Sequence, residues 1–140
     1  MKFSLLFLLV ASTAWAEQSC GTIPSWLDQK QLSFELKSGK RTEVVTAEFP
    51  DLKSVGCTVE GDWGPNYHFQ LNPEHPLVVK FSSGRSLIVS GELEASSVMR
   101  ASEREKTPHF FRIPDQKLRR AYDIYLTSSG KVAKVVQSKL

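Results

Sequence analysis

Apolar side chains recur at every second residue through most of this chain, and turn-forming residues interrupt the runs at intervals of about 8–12 residues. A period of two belongs to strands that bury alternate side chains, whereas an amphipathic helix would repeat every 3.6 residues. Leu32, Phe34 and Leu36 share one face, Lys37-Ser38-Gly39-Lys40 turns, and Val44 to Phe49 returns until Pro50 ends the run. Leu77 to Phe81 and Leu87 to Leu93 flank Ser82-Ser83-Gly84-Arg85 in the same way. In a third pair, Tyr122, Ile124 and Leu126 alternate, Ser128-Ser129-Gly130 turns, and Val132 to Val136 comes back. Each turn has a glycine, which adopts the positive φ that tight hairpins often need.

Shorter strands are expected at Gly56 to Glu60, Tyr67 to Leu71 and His109 to Ile113. The pattern predicts a mostly β fold, a small antiparallel β-sandwich or β-barrel of about eight strands with one or two short helical turns. The helical candidates are Ser25 to Gln31, after Pro24, and Ala95 to Lys106; the second is ambiguous because Leu93, Ala95, Ser97 and Met99 also alternate like a strand. No long amphipathic segment is available to cross between parallel strands, which argues against an α/β arrangement.

The first sixteen residues, MKFSLLFLLVASTAWA, read as an export signal: a positive start at Lys2, an apolar run from Phe3 to Val10, and Ala14 and Ala16 around a bulky residue. Cleavage would leave residues 17–140 as a single β domain, periplasmic or secreted, and no later run approaches the roughly 20 apolar residues of a membrane span. Neither Asn66 nor Asn72 lies in a glycosylation sequon, which suits a bacterial periplasm. Cys20 and Cys57 are the only cysteines, and an exported chain with an even count is expected to pair them.

Charge is segregated along the chain. Residues 17–97 carry 7 Lys and Arg against 11 Asp and Glu, whereas 98–140 carry 10 against 4. Arg100, Arg104, Lys106, Arg112, Lys117, Arg119 and Arg120 crowd the basic part. They would suit an anionic glycan or lipid headgroup, although lysine and arginine also keep strand edges soluble.

Catalytic signatures are missing. No serine stands in Gly-x-Ser-x-Gly, no Cys-x-x-Cys occurs, and the glycines at 56, 61 and 64 are not followed by the Lys-Ser/Thr of a phosphate loop. Among the histidines, His68 and His75 are seven residues apart, a spacing that matches no helical metal pair, and His109 stands alone, so no metal or other cofactor is expected. Nor does the chain contain a recognisable nucleic-acid module.

The most distinctive local composition is Gly61-Asp62-Trp63-Gly64-Pro65-Asn66-Tyr67-His68-Phe69, an irregular loop leading into a strand. If Tyr67 and Phe69 enter the core, Trp63 and His68 remain for contact. In His109-Phe110-Phe111-Arg112, one phenylalanine should point inward and the other outward, beside Arg112. The leading expectation is a non-enzymatic, exported domain that recognises a protein or peptide partner in the cell envelope through Trp63, His68, Phe110 or Phe111, and Arg112. The alternatives are anion binding by the basic third, and a small hydrolase or lyase assembled around His68, His75 or His109.

Overall fold

A computed structural model of the chain describes residues 18–61, 64–97 and 107–140. The candidate residues Trp63, Arg100, Arg104 and Lys106, the signal sequence and most of the second helical candidate lie outside them.

Among the described residues, eleven strands run antiparallel in two sheets. The seven-stranded sheet has the order β1-β4-β5-β8-β9-β10-β11 and the four-stranded sheet the order β2-β3-β6-β7. Their ranges are β1 (Gln18–Ser19), β2 (Gln31–Ser38), β3 (Arg41–Glu48), β4 (Gly56–Glu60), β5 (Asn66–Leu71), β6 (Leu77–Phe81), β7 (Ser86–Val89), β8 (Gly91–Ser97), β9 (His109–Asp115), β10 (Arg120–Leu126) and β11 (Val132–Lys139). The two sheets pack face to face as a sandwich and do not close into a barrel, which removes the barrel alternative.

Alternation decides the packing as expected. Leu32, Phe34 and Leu36 of β2, Tyr67, Phe69 and Leu71 of β5, and Tyr122, Ile124 and Leu126 of β10 are all buried between the sheets. The three predicted hairpins form, with Gly39, Gly84 and Gly130 at φ of 64°, 101° and 89°. At Gly130 the tolerance is narrow, because an added Cβ would lie 2.5 Å from Gln29 Nε2, whose amide donates to the Gly130 carbonyl. That bond seats the N-terminal turn against the β10–β11 hairpin.

Two expectations need correction. The run from Leu87 to Leu93 is not one strand: it breaks at Ser90, and the chain passes from the small sheet in β7 to the large sheet in β8. Gly91, at φ of 90°, takes a conformation that L side chains rarely adopt, and this permits the crossing. Secondly, no helix forms among the described residues: Ser25 to Gln31 contributes only single turns closed from Leu27 N–H to Pro24 and from Asp28 N–H to Ser25. Residues 95–97, assigned to a possible helix, instead finish strand β8.

Trp26 in that N-terminal turn lids one end of the core. It stacks on His109 at 4.2 Å between ring centroids and meets Tyr67 and Phe111 edge-on.

Cys20 and Cys57 are disulfide-bonded across 37 residues, beside the β1–β4 pair, and pack against the core. Opening this bridge with a reductant is expected to lower the melting temperature and cost roughly 3–4 kcal/mol of stability, the chain-entropy value for a loop of that length. An unchanged melting temperature in the reduced protein would contradict the assignment. Among the described residues, no helix is long and apolar enough to cross a membrane.

Candidate functional site

The register of the large sheet decides which candidates meet. Reading across β4, β5, β8, β9, β10 and β11, one row on the outer face is Thr58, His68, Glu94, Arg112, Asp123 and Val136. The next row is Glu60, Asn66, Ser96, Phe110, Tyr125 and Lys134. His68, Phe110 and Arg112, distant in sequence, therefore share one surface.

Phe111 does not belong to it. Side chains in β9 alternate, so Phe110 and Arg112 face out while Phe111, fully buried, points between the sheets and packs against Phe49 and Trp26. The expected contact surface loses that ring and gains another: Tyr125, directly opposite Phe110, lies 5.5 Å from it between centroids, and the Lys134 ammonium sits 4.7 Å above the tyrosine ring. Two aromatic rings and a cation thus form a ridge.

Arg112 is held rather than free. Its Nε and Nη2 donate to Asp123 Oδ1 and Oδ2 at 2.8 and 3.0 Å, a two-pronged pairing with a carboxylate that is itself buried. The Arg112 side chain remains about half exposed and presents a fixed positive group beside the ridge.

On the other side of the same face the charge is negative. His68 Nδ1 bonds Glu92 at 2.5 Å and Nε2 bonds Glu60 at 3.1 Å, with Glu94 opposite it in register. A shallow hollow of about 240 Å³ lies beside the imidazole. Partial burial alone would lower the His68 pKa, but the hydrogen bonds and charges of Glu92 and Glu60 outweigh it and raise the pKa above 6.5. His68, Glu92 and Glu94 also bring ligand atoms within 4.8 Å of one another, a group that His75, in the exposed turn after Asn72, does not join. A divalent cation binding there would compete with a proton for the imidazole.

His109 behaves in the opposite way. Its Nδ1 bonds Ser97 Oγ at 2.8 Å, and burial lowers its pKa below 6.5. A serine beside an imidazole is the start of a nucleophilic pair, and among the described residues no carboxylate bonds to the His109 ring.

The two histidines give stability contributions of opposite sign. The folded chain holds the His68 proton more tightly than the unfolded chain, so that stabilisation is complete below about pH 6.5 and is lost as pH rises through the folded pKa. The folded chain resists protonating His109, so stability falls as pH drops below about 6.5 toward its folded pKa. In melting scans between about pH 5 and 8, His68→Gln is expected to lose stability on acidification more steeply than the native chain, and His109→Gln less steeply. Parallel slopes for all three would refute both assignments.

Of the anion-binding candidates, Lys117, Arg119 and Arg120 are exposed around the β9–β10 turn, with Arg119 in a left-handed conformation at φ of 53°. They stand at the end of β9 away from His109, separate from the aromatic ridge.

No family model, curated protein or solved structure matches this chain. The class of the protein is thus set by its own geometry: an all-β, disulfide-linked sandwich whose larger sheet carries an aromatic and cationic ridge beside an acidic patch.

Proposed function

We propose that this chain is a non-enzymatic binding domain of the extracytoplasmic space that recognises a protein partner with the outer face of its seven-stranded sheet. One observation carries the reading: Phe110 and Tyr125 lie side by side on that face, flanked by Arg112 and Lys134. Aromatic and arginine side chains supply most hot spots of protein interfaces, and a fixed guanidinium binds without losing rotamer freedom. The acidic group of Glu60, Glu92 and Glu94 beside the ridge gives the face two signs of charge, which favours one orientation of a partner over others. The disulfide is in keeping with an oxidising compartment.

Site-specific photo-crosslinking tests the reading. A crosslinking residue at position 110 should capture a discrete partner in the native host. The same residue at position 88, where Ile88 is 66% exposed on the other sheet, should not. Capture at both positions, or at neither, would remove the support.

A second reading, binding of anionic glycan or lipid headgroups, is favoured by the exposed Lys117, Arg119 and Arg120 on one turn. It predicts attachment to anionic vesicles that weakens as salt is raised, since screening acts over about 8 Å at physiological ionic strength.

A further inference from the structure

At the end of the sandwich away from Trp26, three hairpins leave the space between the sheets open. The β2–β3, β6–β7 and β9–β10 ends border a cleft of about 510 Å³, within the size range of small-molecule sites. Its apolar lining is Leu36, Leu118 and the Tyr122 ring; its charged lining is Arg41, Arg85 and Arg120, with Glu43.

The three arginines are not equivalent. Arg85 is built in: it pairs with the fully buried Asp115 at 3.0 Å, donates to the Tyr122 hydroxyl at 3.4 Å and lies 4.0 Å over the Phe81 ring. Tyr122 in turn donates to Asp115 at 3.1 Å. Arg41 and Arg120 are exposed and, among the described residues, neither forms an ion pair with a carboxylate. Setting Asp115 and Glu43 against the three guanidinium groups leaves one positive charge in excess at a site with an apolar lining.

We infer that this cleft binds a small amphipathic monoanion, a carboxylic acid with an aliphatic or aromatic body, whose carboxylate meets Arg41 and Arg120 while its body lies on Leu36, Leu118 and Tyr122. Arginine offers paired N–H donors that match a carboxylate, and a single surplus charge favours a monoanion over a phosphate dianion. The site is distinct from the sheet face proposed for the partner, and it draws on Arg41 and Arg85 from the acidic part of the chain as well as Arg120 from the basic part. It stands or falls independently of the partner-binding reading.

The test is a titration of the isotope-labelled protein with octanoate, octanol and inorganic phosphate, followed by amide chemical shifts. Octanoate should give saturable shifts confined to the three hairpins at concentrations up to about 10 mM. Octanol, with the same body and no charge, and phosphate, with charge and no body, should each bind at least about tenfold more weakly, a difference of about 1.4 kcal/mol. The Arg41→Gln/Arg120→Gln double variant should lose octanoate affinity by a similar factor while its amide spectrum elsewhere stays native, since neither side chain is buried. Equal binding of octanol or phosphate, shifts centred elsewhere, no saturable shift, or full affinity in the double variant would each overturn the proposal.

Discussion

Replacing Phe111 with alanine will destabilise the fold by about 3–5 kcal/mol, the usual cost of removing a fully buried ring. Replacing its neighbour Phe110 will change stability far less and will act on partner binding instead. Both follow from the alternation in β9: Phe111 is fully buried against Phe49 and Trp26, whereas Phe110, half-buried, lies on the outer face beside Tyr125. Chemical denaturation of the two single variants measures the difference directly. Equal losses would mean that both rings are structural and that the aromatic ridge is no contact surface.

The second large effect concerns Arg85. Asp115 is completely buried and takes its hydrogen bonds from Arg85, Tyr122 and the Leu118 N–H. Arg85→Met retains much of the apolar stem but removes the positive charge, leaving a buried carboxylate with neutral donors only. Loss of one member of such a pair costs about 3–5 kcal/mol. Arg85→Met/Asp115→Asn, which removes the charge as well, should recover a substantial part of that loss, because uncharged groups are far cheaper to bury. Additive losses in the double variant would show that packing, not the uncompensated charge, dominates the site.

Much of this architecture was legible because the alternation signal is local. Leu32, Phe34 and Leu36, Tyr67 and Phe69, and the Tyr122, Ile124 and Leu126 set needed no knowledge of pairing to be placed on the inner face, and the structure buries all of them. The crossing at Ser90 and Gly91 was not legible. Leu87 to Leu93 keeps its alternation on both sides of the break, and the change of sheet partner between β7 and β8 leaves that pattern intact.

Functional geometry depended on register in the same way. Alternation in β5 places His68 outward, but Glu92 is 24 residues away and comes within reach only through the β5–β8 pairing. Tyr125 could have been placed outward from its position between Ile124 and Leu126, yet its partnership with Phe110 required knowing that β9 pairs β10. The end cleft is still further from the sequence, since Arg41, Arg85 and Arg120 stand on three separate hairpins. Asp115, after Pro114 at the end of β9, carries no local mark of its burial, which depends on pairing with Arg85 from the end of the β6–β7 hairpin.

The central claim is that the aromatic and cationic ridge on the large sheet engages a protein. Native mass spectrometry of the protein purified from its own host, as the native chain and as Phe110→Ala/Lys134→Glu, tests it most directly. Both substitutions spare the Arg112–Asp123 pair and the core. The native chain should give a heteromeric complex, and the variant a folded, disulfide-bonded monomer. A native chain that is always monomeric, or a complex that survives in the variant, would contradict it.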